Sequence, residues 1–279
     1  MKKLIIMAAL AFVSACATSE KREKPAAEEN YEDTAIASTK PVDYKDDVVI
    51  AKEEKLPAAT YTALNEAIRQ QNDDQIQKAC SEILTQNSKD TKALNALALV
   101  YYKKGRFEAA HYLLNKALSA NPNSAEIYGN IGTVLLAKNE RREAVKSFRK
   151  ALQLNPDDAM VGANLGAIYV QEKDYTKALL ALEVAVSKGM KDVKVLNNYA
   201  VALTAKGRTK EAADFYEKIL KENPSQKEAM LNYSILLIEV MNKNKEGLDL
   251  LNRLKFVGPS AESRQVIKQL ENKAKAALQ

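Results

Sequence analysis

Of the side chains that carry most protein chemistry, this 279-residue chain holds two cysteines and a single histidine. His111 follows Ala110 in an amphipathic stretch, and no Ser, Cys or Asp arrangement accompanies it that would read as a nucleophile–base pair. The chain has no HExxH, no CxxC, no glycine-rich phosphate loop and no cluster of metal ligands. Glu and Asp are spread over what read as solvated helix faces, where i,i+4 pairing is their ordinary role. Catalysis, cofactor binding and metal binding are therefore not expected, and the chain reads as a non-enzyme. Cys80 falls at an apolar helix-packing position and is expected to act as a small buried hydrophobe. Cys16 is different. Lys2-Lys3 precede the apolar run from Leu4 to Val13, and the small residues Ser14-Ala15 come immediately before the cysteine. A charged start, a short apolar core and small residues before a cut read as a secretory signal over 1–15. The run falls short of the roughly 20 apolar residues that cross a bilayer.

Val13-Ser14-Ala15-Cys16 resembles the bacterial lipobox. That resemblance implies that Cys16 takes a diacylglyceryl thioether, is freed by cleavage and becomes an acylated, palmitate-bearing first residue. Two or more acyl chains anchor stably, where one does so marginally. The next residue is Ala17 rather than Asp, which by the same resemblance implies the outer membrane, facing the periplasm. The alternative is a plain cleavable signal in which Cys16 is incidental.

The anchor is followed by a tract of other composition. Residues 17–56 hold seven basic and eleven acidic residues with Pro25 and Pro41, and show no sustained helical period. Such composition favours disorder, and 16–56 is read as a lipidated start and tether spanning about 35 Å on average. Val48-Val49-Ile50 could pair with a strand edge, but a tether is the simpler reading.

From residue 57 onward a 34-residue period takes over. Leu94, Leu97, Ala98, Tyr101, Gly105, Ala110, Leu114, Ala117 and Pro122 form one copy; shifts of 34 lead to Tyr128 through Pro156, Gly162 through Met190 and Leu196 through Pro224. The period, the small residues and the closing proline resemble the tetratricopeptide repeat, or TPR, a helix–turn–helix unit. With Leu94 as position 4, positions 4, 7, 8 and 11 share one helix face and 20, 24 and 27 share a face of a second helix. Positions 8 and 20 are mostly Ala or Gly, so paired helices can approach closely. Gly105 and Gly207 suit the turn, and Asn121-Pro122, Asn155-Pro156 and Asn223-Pro224 end the second helices. A weaker copy precedes these, with Ile76, Cys80 and Ile83 on its second helix. Another follows from Met230; its second helix, with Gly247, Leu251 and Leu254, fits only if the Asn242–Lys245 turn carries one extra residue. The amphipathic stretch at about 260–278, with Val266, Ile267, Leu270 and Ala274 on one side, reads as a cap for the exposed end of a stack. The expected fold is all-α: a TPR solenoid of about six units plus a capping helix over 57–279.

Charge divides along the chain. The whole carries +6, the tether −4 and the two signal lysines +2, which leaves +8 for 57–279. Lys104, Arg106, Arg141, Arg142, Lys206, Arg208, Lys243 and Lys245 cluster at the turns between paired helices, an edge that could face anionic headgroups. Aromatic–basic interleaving for nucleic acid is absent. Position 9 of the first helices reads Leu99, Thr133, Ala167, Val201 and Ile235, and position 12 reads Tyr102, Leu136, Val170, Thr204 and Ile238. These positions usually line the concave face of TPR stacks. They predict an apolar groove for a protein partner, laid in as a helix, and predict that glutamate at Val170 and Ile238 abolishes capture without loss of stability. The alternatives are that these side chains pack against neighbouring first helices, or that the terminal helix fills the groove. The position-6 asparagines Asn130, Asn164, Asn198 and Asn232 read either as a binding ladder or as ordinary repeat structure.

The order of lipobox, tether, TPR units and cap resembles the outer-membrane pilotins of type IV pili, and Asn197-Asn198-Tyr199 is similar to a segment of that group. The resemblance implies a periplasmic assembly factor for a secretin. Gliding-motility lipoproteins and adaptors of peptidoglycan enzymes share the same layout.

Overall fold

The 34-residue period becomes a stack of helical hairpins in the computed structural model, which describes residues 56–279. The signal, Cys16 and the tether up to residue 55 lie outside the described residues. A short 3-10 turn at Ala58–Tyr61 leads into α1 (Thr62–Arg69), which pairs with α2 (Asp73–Gln86). There follow α3 (Thr91–Lys103) with α4 (Phe107–Ala120), α5 (Ala125–Ala137) with α6 (Arg141–Leu154), and α7 (Ala159–Gln171) with α8 (Tyr175–Ser187). Next come α9 (Val193–Ala205) with α10 (Thr209–Glu222), α11 (Lys227–Ile235) with α12 (Asn244–Val257), and a last helix, α13 (Arg264–Ala276). Each second helix packs against its own first helix and the first helix of the next unit. The described residues hold no strand. They form a TPR-type solenoid of six hairpins.

The period is written into the caps as well as the core. Asp90, Ser124, Asp158 and Asp192 each precede a first helix and accept a hydrogen bond from a backbone N–H of its opening turn, satisfying a donor the helix cannot pair itself. At the hairpin turns Gln71, Gly105, Asn139, Lys173 and Gly207 take φ between +54° and +75°. The following N–H then reaches back five residues, as from Arg106 to the Tyr101 carbonyl (2.8 Å) and from Arg208 to that of Leu203 (2.9 Å), closing the exposed carbonyls. Asn121, Asn155 and Asn223 terminate α4, α6 and α10 ahead of their prolines. The fourth unit has no such Asn-Pro and stops α8 with Gly189 at φ +79°.

The sixth unit departs from the expected register. The extra residue is present, but it lies in the helix rather than in the Asn242–Lys245 turn. The last turn of α11 widens into a π-helical segment, Leu236–Val240, where Met241 N–H donates to the Leu236 carbonyl (3.0 Å). The turn residue with positive φ is Asn242, 35 rather than 34 residues after Gly207, and Lys243 N–H reaches six residues back to Leu237 (2.8 Å). A π-turn absorbs one residue without changing either helix end.

Close helix pairing depends on the small positions. A Cβ on Gly132 would lie 2.6 Å from the Phe148 ring, one on Gly166 2.4 Å from Leu182, and one on Gly162 2.7 Å from the Ala181 carbonyl oxygen. Phe148, Leu114, Leu182 and Tyr216, all at position 24, are fully buried, each worth about 1.5–3 kcal/mol in area removed from water. The cap forms as expected, though shorter: α13 buries Ile267, Leu270 and Ala274 against α12 and α11 and leaves Arg264, Lys268 and Lys275 exposed.

Cys80 sits in the N-terminal core with Leu64, Ile76, Ile83 and Val100. Burial, reinforced by the nearby Asp90 carboxylate, pushes its thiol up to about 11. The unfolded chain therefore ionises first as pH rises past the ordinary value of 9.0, so this thiol's contribution to stability declines between about pH 9 and 11. A maleimide should label Cys80 in the native protein at pH 8 at least a hundredfold more slowly than in denaturant. Equal rates would contradict this burial.

Candidate protein-binding groove

The face formed by the first helices is open over α1, α3 and α5 and closes towards α11. A cavity of about 520 Å³ lies at the open end, lined by Ile68, Thr91, Lys92, Asn95, Leu99, Lys103, Glu126 and Ile127 among others. Of the ten residues expected to line the groove, Leu99, Tyr102, Thr133 and Leu136 are half-buried and stand on α3 and α5 of this open part, and Ala167 on α7 is half-buried beyond it. Tyr102 rests against Phe107 with ring centroids 5.7 Å apart, and the Thr133 hydroxyl donates to the Gly129 carbonyl (3.1 Å).

The other five are not available surface. Val170, Val201, Thr204, Ile235 and Ile238 are between 1% and 5% exposed. From α7 onward the first helices pack directly on one another, α7 against α9 most extensively, while Thr204 lies against Tyr216 of α10 within its own hairpin. Ile238 is buried for a separate reason. The π-turn brings it into the hairpin, where a Cβ added to Gly247 would lie 2.4 Å from its Cγ1. The next residue, Glu239, pairs instead with Lys273 of α13.

The open part is also less greasy than expected, because a polar set runs beside the apolar row. Asn130 donates from Nδ2 to Asn95 Oδ1 (2.8 Å), and Asn95 Nδ2 donates to Glu126 Oε1 (2.7 Å). The same three residue types recur 102 residues later as Asn197, Glu228 and Asn232. There Asn232 donates to Asn197 (3.2 Å), but Asn197 Nδ2 and Asn232 Oδ1 have no protein partner although both residues are buried. Position-6 asparagines were visible in the sequence; the position-5 Asn and position-2 Glu that complete the set were missed, though their shared spacing was the signal. Three of the four ladder candidates are thereby placed in the structure's own packing: Asn130 and Asn232 bond across first helices and Asn198 is 4% exposed.

Part of the basic turn edge is ion-paired. Lys104 meets Asp74 (3.5 Å), Lys138 meets Glu108 (3.1 Å) and Glu140 (2.9 Å), Arg208 meets Glu211 (2.6 Å) and Lys243 meets Glu246 (3.2 Å). Exposed pairs of this kind add little stability. Among the described residues no group of His, Cys, Asp and Glu could hold a metal ion, and no helix is long and apolar enough to cross a membrane.

A stack of two-helix units with one concave face defines a helical-repeat scaffold for protein–protein interaction. Residues 125–158 and 193–226 match the tetratricopeptide repeat and residues 98–139 match the related TPR repeat. The chain thus carries tetratricopeptide repeats within 98–158 and 193–226. Among solved structures it is similar to YrrB, described as a TPR protein with an unusual peptide-binding site, at 22% identity and a TM-score of 0.62 over 72% of this chain and 99% of that one. It is also similar to Pseudomonas aeruginosa pilF (22% identity, TM-score 0.52, 67% of this chain and 88% of that one). MamA from RS-1 is another such structure (18% identity, TM-score 0.54, 60% and 93%). At these identities the likeness concerns the fold. No curated protein matches the chain.

Proposed function

We propose that this protein is a non-enzymatic assembly factor of the bacterial envelope, lipid-anchored through Cys16 to the outer membrane and holding a protein partner in the open part of its groove. The observation that carries the groove reading is the cavity at α1, α3 and α5, where Leu99 and Ile68 stand beside Asn95 and Glu126, the two members of the Asn95–Glu126–Asn130 set that line it. Apolar anchors with a fixed polar row suit one amphipathic segment, the apolar side chains supplying affinity and the amides its orientation. The lipobox supports the anchor, and a tether would let the solenoid stand off the membrane. Of the machines that use this layout, type IV pilus secretin assembly is favoured: the sequence resembles the pilotins in architecture, and the fold is like that of P. aeruginosa pilF. A motility complex or peptidoglycan enzymes are the alternatives.

Crosslinking intact cells and purifying the protein from outer membranes tests this. A secretin subunit in the crosslinked product is expected, whereas motility components or wall hydrolases would transfer the reading to those machines. Cys16→Ser should move the protein from the membrane to the soluble fraction and abolish fatty-acid labelling. Unchanged membrane association would remove the anchor from the account.

A further inference from the structure

The C-terminal end of the stack presents an aromatic side chain that the described residues leave bare. On α12, Gly247, Leu250, Leu251 and Leu254 turn into the hairpin. Phe256 stands on the opposite side at 95% exposure, the highest of the exposed large apolar residues. On α13, Ile267, Leu270 and Ala274 face the stack. Arg264, Lys268 and Lys275, spaced by one turn and then two, therefore share an exposed flank. Glu271 lies between Lys268 and Lys275 on that flank and meets Lys255, the residue beside Phe256 (2.5 Å). That bridge ties the Phe256 end of α12 to the basic flank of α13. Lys273 is engaged by Glu239 on the other side of α13, and Arg253 by the Pro224 carbonyl (3.5 Å). Arg264, Lys268 and Lys275 have no acidic partner among the described residues. Asp249 and Glu262 have no basic partner either, but residues 249–279 hold six basic residues against three acidic ones, so this end is net positive.

We propose that this end is a membrane-contact surface: Phe256 enters the headgroup region of a bilayer containing anionic phospholipid, while Arg264, Lys268 and Lys275 meet the phosphates. The inference rests on the anchor proposed above for its nearness to a bilayer. A protruding ring that sits in no cleft suits a bilayer better than a protein. A protein partner would have to supply a matching pocket, whereas interfacial helices insert Phe or Leu beside Lys and Arg without one. Each cation near an anionic surface adds attraction, and salt screens it. Three cations and one ring bind weakly and reversibly, so the contact orients an anchored molecule and does not replace the anchor. Release of Cys16→Ser into the soluble fraction is still expected. Only α12 and α13 are used, so the cavity at α1, α3 and α5 stays free for a partner.

The chain has no tryptophan, so Phe256→Trp supplies a single reporter. The test uses residues 16–279 with Cys16→Ser, so that neither an acyl chain nor the apolar leader reaches the lipid. Vesicles are phosphatidylcholine alone, or phosphatidylcholine and phosphatidylglycerol in equal parts. Indole emission should move to the blue on the mixed vesicles at low salt, stay unchanged on phosphatidylcholine alone, and return when salt is added. Arg264→Glu/Lys268→Glu/Lys275→Glu should weaken that binding by about tenfold or more. Circular dichroism should be unchanged, because all three side chains are exposed on α13. No shift on the mixed vesicles, an equal shift on phosphatidylcholine, or a triple variant that binds as tightly as its parent would each overturn the proposal. An indole that is silent on lipid but shifts with solubilised outer-membrane proteins would assign the surface to a protein and overturn it too. The anchor takes no part in this measurement, so a failure here leaves the Cys16 reading standing.

Discussion

Phe148→Ala is expected to cost about 3–5 kcal/mol, the range for removing a buried aromatic ring, and to split the unfolding transition. Phe148 is fully buried and its ring fills the space left by Gly132 on the facing helix. The third unit sits inside the stack, and repeat arrays are held together by each unit's contact with its neighbours. Loosening an inner unit therefore uncouples the two ends, and thermal melting followed by circular dichroism should broaden or resolve into two steps. The pair also makes a cycle. Gly132→Ala alone forces its Cβ into the ring, and Phe148→Leu alone leaves a gap, yet the second unit already uses Ala98 with Leu114 at these positions. The double substitution Gly132→Ala/Phe148→Leu should be less destabilised than the sum of the singles by about 1 kcal/mol or more. Strict additivity would show that the two side chains do not meet as described.

The second large effect separates groove from core. Ile238→Glu places a carboxylate in the interior of the last hairpin, where it has no cation partner, at roughly 3–5 kcal/mol. Val170→Glu is expected to destabilise too. Both were expected from the sequence to spare stability, and their burial reverses that. Leu99→Glu with Leu136→Glu should instead change melting little while reducing partner capture by about 30-fold or more, the loss of a contact worth about 2 kcal/mol. Equal stability losses in both sets would mean that the groove has no open half.

The hairpins themselves were legible because each apolar position repeats with the same neighbours: Ala98, Gly132, Gly166 and Ala200 all mark a close approach. The cap row of Asp90, Ser124, Asp158 and Asp192 follows the same period and was equally available. The site of the extra residue was not. A longer turn and a π-turn shift the downstream register identically, and only the bond from Lys243 to Leu237 with the inward placement of Ile238 distinguishes them. Groove exposure was legible for half of its lining. Position within a repeat says which face a side chain takes, but how far Val170 and Val201 are covered depends on how closely the neighbouring helices approach. That distance is set by packing along the whole stack.

A photo-crosslinking amino acid placed singly at Leu99, Tyr102 or Leu136 in living cells tests the groove most directly, with Tyr112, 68% exposed on a second helix, as the reference position. The same protein adduct at the three groove positions, and none at Tyr112, is the predicted result. Adducts confined to Tyr112, with the groove positions silent, would contradict the assignment of partner binding to this face.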